Sequence, residues 1–201
     1  MINPDDVTNY NRTKSEKEEF LFFCICVAGK NAHVQARKLE DFLNLLRIEL
    51  GNNTLSPFEL VKEILDGYGP EYGAKIIQEK LYLIRMGQYS RITNLFINLA
   101  YMDVESITLE ELESLHGIGP KTARFYLTHT QEGTQFAVLD THILKELASR
   151  GYTVPKSTPT GKKYYEIEKI VLGIVEKEGK TTSEWDLETW KKWRKDPYII
   201  Q

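Results

Sequence analysis

The chain has 201 residues, 41% hydrophobic and 27% charged, enough for one large or two small domains with a real core. No apolar run approaches the roughly 18 residues of a membrane span; FLFFCICVA, at 20–28, is about half that length. The net charge of −3 excludes a generally basic nucleic-acid coat and leaves room for a local basic face. The two cysteines, Cys24 and Cys26, lie on different sides of a helix and read as reduced core thiols. The opening MINPDDVTNYNRTK has no signal-peptide layout, so a cytoplasmic (nucleoid) or nuclear protein is expected, not a secreted one.

The apolar pattern is helical almost throughout. Residues 16–27 are apolar on nearly every side, as in a buried helix. Residues 33–50 repeat Val34, Leu39, Phe42, Leu43 and Leu46 on one face, and Gly51 ends the run. SPFE at 56–59 is a capping box with proline at the first helical position, opening a helix to about Gly67. Helices are expected over 71–86 and 88–101. TLEE at 108–111 caps a short helix ending at His116. Helices over 120–130, 141–150, 162–177 and 183–193 complete the set, with YTVPKSTPTG at 152–161 as the clearest connector. No stretch keeps a period of two, so no sheet is expected.

One stretch is unusual. LHGIGPKTARFYL, at 115–127, breaks a helix for G-I-G and restarts it at a proline. Glycines at 117 and 119 open backbone angles closed to other residues. Ile118 between them points back to pin the turn. Gly119 then sits at the N-cap and Pro120 at N1. The product is a helix-hairpin-helix over about 109–130, with free N–H groups that attract anions, phosphate above all. A plain interhelical turn would also accommodate G-I-G, but it leaves the lysine after the proline unexplained. A cation in a first helical turn opposes the dipole. Asp140, in VLDTHI, is a good N-cap for the next helix, which accounts for it locally.

LHGIGPKTARFYL followed by FAVLDTHILKEL resembles the helix-hairpin-helix-Gly/Pro-Asp superfamily of DNA base-excision glycosylases. Within it the chain is most similar to the second-type archaeal and bacterial 8-oxoguanine DNA glycosylase/AP lyases. FLFFCICVAGKNA, GYGPEYGAKIIQEK and KKYYEIEKIV…EWDLETWKKW support that placement, and the similarity spans about 16–193. The resemblance implies an all-α, two-lobed fold. One lobe comprises 1–55 with 151–201; the other is a helical barrel of 56–150. It implies Lys121 as nucleophile and Asp140 as an ionised catalytic carboxylate. A free lysine ionises near ~10.4, so about one in a thousand is neutral at pH 7. A neutral amine attacks C1′ as the base leaves, and the Schiff base then allows β-elimination.

The same resemblance sets the remaining expectations. The partner is double-stranded DNA with a damaged base, met by a monomer away from membranes. Extruding the base costs a few kcal/mol and leaves a gap, for which Lys30 and Asn31 of AGKNA are the wedge candidates. Phosphate contacts are expected from Gly117, Ile118, Gly119, Thr122, Arg124 and the KKWRK run at 191–195. Asp186 and Trp190 of EWDLETW stand at i, i+4 and are candidates for the base pocket; Trp185 and Trp190 as core aromatics is the competing reading. His142 is expected to be structural or a phosphate contact. No metal is expected on side chains. An iron–sulfur cluster would need four cysteines, while the hairpin carbonyls are candidates for a monovalent cation. The ending KKWRKDPYIIQ departs from relatives that close on a short basic tail, which opens the choice of base. A glycosylase for another lesion, such as an oxidised pyrimidine, and a non-catalytic helix-hairpin-helix DNA-binding module are the alternatives.

Overall fold

The computed structural model describes residues 1–194. Among them it contains ten helices and no strand: α1 Lys14–Cys26, α2 Ala32–Leu50, α3 Pro57–Tyr68, α4 Pro70–Leu83, α5 Tyr89–Ala100, α6 Leu109–Ser114, α7 Pro120–Thr130, α8 Thr141–Ser149, α9 Gly161–Glu178 and α10 Thr182–Trp193. The all-α expectation holds. Four N-termini carry a full capping box, built on Thr13, Ser56, Thr108 and Thr181. The expected helix over 71–86 stops early, at Leu83. Arg85, Gly87 and Gln88 all take positive φ, at 54°, 76° and 52°, and left-handed residues cannot continue a right-handed helix.

The chain divides into two compact units, Met1–Ile118 and the part from Gly119 onward. This grouping differs from the expected lobes: α1 and α2 pack on α3, within the unit that ends at Ile118. In the first unit α1 is the buried centre, with every residue of Phe20–Cys26 in the core. Phe22 stacks on Phe96 at 3.7 Å and meets Phe58 at 5.2 Å. Buried Glu18 accepts the Phe58 N–H at 3.0 Å, serving the start of α3 from another helix. At Gly73 of α4 a Cβ would lie 2.9 Å from the Ile64 carbonyl oxygen and 3.0 Å from the Leu65 Cα, so this glycine lets α3 and α4 approach.

The second unit has its own core, formed by Leu139, Ile143, Leu147, Tyr164, Val171 and Trp185 with their neighbours. Trp185 is thus a core aromatic. Glu146 of α8 secures the end of α10. Its buried carboxylate accepts from Lys192 Nζ (2.6 Å), Trp193 Nε1 (2.6 Å) and Arg150 Nε (2.8 Å). Burial would raise its pKa, but these hydrogen bonds outweigh that and pull it from 4.5 to about 2.

Replacing Gly73 by Ala should cost roughly 1–3 kcal/mol of stability, because backbone must shift to admit the methyl; the urea unfolding midpoint measures it. Glu146 gives a signed pH dependence. Its folded pKa is depressed, so its contribution is present above 4.5 and lost as pH falls toward 2. The stability gap between wild type and Glu146→Gln should therefore close over that window in pH-dependent denaturant melts.

Candidate active site

Lys121 stands in the first turn of α7, half-buried, on a helix whose N-terminus has no side-chain cap. Its Nζ lies 5.0 Å from the centre of the Phe125 ring. The hairpin before it is built as the sequence suggests, with one difference. Gly117 has φ 102°, and a Cβ there would press on Arg91 and Leu95 at 3.3 Å. Gly119 has φ −95°, which any residue adopts, and a Cβ there would meet nothing within 4 Å. The backbone therefore demands glycine at 117 only; at 119 it leaves open space before the uncapped helix end. Ile118 is buried. Arg91 holds the Gly117 carbonyl through Nε (3.0 Å) and Nη2 (2.8 Å), and the Leu115 carbonyl accepts the Ile118 N–H. A guanidinium on Gly117 O does not fit a cation at that oxygen.

Asp140 is the N-cap of α8. Its Oδ1 accepts the His142 and Ile143 N–H groups at 2.8 and 2.9 Å. Burial is the main cause that raises its pKa, and the negative charge of Asp186 adds to it; Lys121 and the cap hydrogen bonds pull the other way. Asp140 thus feels the charges of both Lys121 and Asp186, and all three belong to a single compact unit. The Nδ1 of His142 is buried without a hydrogen-bond partner among the described residues.

The extended lead into Asp140 is fixed by α9. Tyr164 Oη accepts the Leu139 N–H (3.0 Å) and donates to the Ala137 carbonyl (2.8 Å). Glu168 Oε1 accepts the Ala137 N–H at 2.9 Å. The same carboxylate receives Arg124 in a fork, Nε to Oε1 at 2.7 Å and Nη2 to Oε2 at 3.2 Å. Burial pushes the Tyr164 phenol well above its usual range, so it stays a neutral donor.

This corrects one expectation outright. Arg124 does not face DNA phosphate: it is 1% exposed, paired with Glu168, and stacked 4.7 Å over the Tyr164 ring. Thr122 is likewise buried. Of the wedge candidates, Lys30 donates to the Met86 carbonyl at 2.7 Å, and burial lowers its pKa. Exposed Asn31 caps α2 through the Val34 N–H at 3.0 Å. Both belong to the first unit. In the KKWRK run, Lys192 is engaged by Glu146 and Arg194 lies 4.9 Å over Trp190; Lys195 and the tail after it lie outside the described residues. Trp190 is half-buried. Asp186 is buried and meets His129 at 3.1 Å.

Sequence reasoning missed Phe125, His129, Tyr164 and Glu168. A signal for the first two was their spacing from Lys121 at i+4 and i+8, one face of a helix. Glu168 gives no such signal, because a glutamate in KKYYEIEKIV reads as solvent-facing.

A family model described as 8-oxoguanine DNA glycosylase matches residues 4–180. The chain belongs to that family. The 8-oxoguanine DNA glycosylase/AP lyase of Methanocaldococcus jannaschii is 29% identical over 185 residues, which are 89% of this chain and 82% of that one. The fold agrees with solved structures of family members. The M. jannaschii enzyme in complex with a 15-mer DNA containing 8-oxoguanine superposes with a TM-score of 0.61 at 24% identity, covering 91% of this chain and 83% of that one. The Thermotoga maritima 8-oxoguanine DNA glycosylase gives 0.63 at 19%, covering 90% and 81%. In this family member, then, Lys121 and Asp140 stand on the matched segment that also holds Glu168.

Truncating Glu168 to Ala takes the carboxylate away from a buried guanidinium and frees the Ala137 N–H. The expected loss is about 3–5 kcal/mol, the usual cost of breaking a buried pair, read as a lower denaturation midpoint. Arg124→Ala should lower stability similarly, whereas a phosphate contact would show mainly as a weaker salt dependence of DNA binding.

Proposed function

We propose that this chain excises 8-oxoguanine from duplex DNA and then cuts the strand, with Lys121 as nucleophile and Asp140 as its carboxylate. The observation that carries the reading is their placement: an amine at an uncapped helix start and a carboxylate at a helix cap, held in one unit, with the lysine's charge acting on the carboxylate. Membership of the family and the M. jannaschii glycosylase/AP lyase support the substrate.

The neutral Lys121 amine forms a bond to C1′ as the N-glycosidic bond breaks, and the base leaves with the pair of electrons and takes up a proton. Attack leaves a secondary ammonium on C1′, and Asp140 accepts a proton from it; its raised pKa makes it a better base than an ordinary aspartate. Before that step the ionised carboxylate stabilises positive charge growing on the sugar. Opening of the ring gives a Schiff base. Loss of a C2′ proton then expels the 3′ phosphate by β-elimination. The backbone at Gly119 and the start of α7 receive a DNA phosphate, where the helix dipole and the open space favour an anion. The protein acts as a monomer, in the cytoplasm or nucleus where DNA is met. Trp190 supplies a stacking face in the base pocket.

The test is borohydride trapping on a labelled duplex with 8-oxoguanine opposite cytosine. A covalent adduct is expected from wild type and none from Lys121→Gln. An adduct formed on an abasic site but not on 8-oxoguanine would overturn the base assignment and direct a panel of oxidised pyrimidines. Absence of an adduct on both DNAs would overturn the lyase mechanism in favour of a binding module.

A further inference from the structure

The segment that leads into Asp140 has no strand to pair with among the described residues. Ala137, Val138 and Leu139 are nonetheless in the core, where a backbone group without a partner is costly. Helix α9 supplies partners through two side chains one turn apart on one face. Glu168 accepts the Ala137 N–H at 2.9 Å. Tyr164, fully buried, serves two groups with one oxygen: Oη accepts the Leu139 N–H at 3.0 Å and donates to the Ala137 carbonyl at 2.8 Å. Between them the chain closes on itself. The Asp140 N–H donates to the Val138 carbonyl at 2.9 Å, a γ-turn centred on Leu139.

The Asp140 carboxylate is therefore held from both directions. Its Oδ1 is taken by the His142 and Ile143 N–H groups of α8, and its backbone is the end of the turn that Tyr164 clasps. Resting on the glycosylase reading above, we propose that Tyr164 is a positioning residue for the reaction: by bonding both Ala137 and Leu139, its hydroxyl sets where the Asp140 carboxylate stands toward the sugar. Tyrosine suits the task because one hydroxyl both donates and accepts, and burial keeps it protonated. The ring is steadied in turn by Arg124 of α7, 4.7 Å over its face. A reacting group misplaced by about 1 Å can lose on the order of 100-fold in rate. A lost clasp should thus be read in the chemical step and not in DNA binding.

The experiment is Tyr164→Phe, which removes one oxygen and keeps the ring. Single-turnover base release from the 8-oxoguanine duplex is measured beside adduct formation on a preformed abasic site, since both steps use Asp140. Each is repeated in an Asp140→Asn background, which keeps the cap oxygen and loses the charge. With Asp140 present, both rate constants at saturating enzyme should fall roughly 10- to 100-fold, while the half-saturating concentration stays within about twofold. In the Asp140→Asn background the same change should cost less than about threefold, because the group that Tyr164 positions has already gone. 4-Aminophenylalanine in place of Tyr164 keeps an N–H donor on the same ring. It should recover part of the rate and serves if the phenylalanine variant fails to fold. Two results overturn the proposal. An unchanged rate constant, with only a smaller reacting fraction or a lower urea midpoint, marks Tyr164 as structural. An equal loss in both backgrounds shows that its hydroxyl does not act through Asp140. The wild-type lanes judge the glycosylase reading separately: a wild type that traps on neither DNA removes that reading and this inference with it, whereas an active wild type beside an indifferent Tyr164→Phe removes this inference alone.

Discussion

The buried fork between Arg124 and Glu168 organises the second unit. Each charge would cost several kcal/mol to bury alone. Arg124 offers a planar pair of donors and Glu168 a matching pair of acceptors, so the guanidinium is satisfied at 2.7 and 3.2 Å. Glu168 then has a lone pair to spare, and it accepts the Ala137 N–H. That third bond couples the helix of Lys121 to the extended segment of Asp140. Lys121 and Arg124 are three residues apart on α7, so the anchor lies within one turn of the amine. Tyr164, one turn before Glu168 on α9, pins the same segment at Ala137 and Leu139.

Helix α7 thus divides its labour among its faces. One side is sealed into the core through Arg124. Another carries Lys121, Phe125 and His129 and reaches Asp186 on α10. Its N-terminus is left without a side-chain cap, beside a glycine whose missing Cβ no backbone angle requires. For stability alone a Ser or Asp would serve better at that N-cap. Rule-breaking local choices of this kind concentrate at functional sites, and here the broken rule leaves an anion-accepting end beside the amine. Asp140 follows the local rule and departs from it elsewhere: it is a good cap, yet burial and a second carboxylate push its pKa up.

The helical class, the capping boxes and the hairpin were legible because they are local. TLEE, SPFE and LHGIGPK each state their structure within a few residues, and the lysine and aspartate stand out against a local explanation. Arg124 shows the limit. In KTARFYL a positive residue near a phosphate-binding turn reads as a phosphate contact, since charged side chains are rarely buried. Its burial depends on a glutamate 44 residues away, and the sequence between them gives no sign of the pairing. The early end of α4 has a similar origin: Arg85 and Gln88 take left-handed angles that neither side chain prefers.

The amino-acid sequence by itself determined the all-helical class, the hairpin with its lysine, and the membership that names the chemistry. Periodicity, capping and turn glycines act over a few residues, and the order of residues is enough to display them. Only the tertiary structure decided that Arg124 is an anchor, that Glu168 and Tyr164 hold Asp140's approach, and that His129 meets Asp186. Those contacts join residues 25 to 57 positions apart. Such pairs form only when packing removes water from both partners, because in an exposed chain each is better served by solvent.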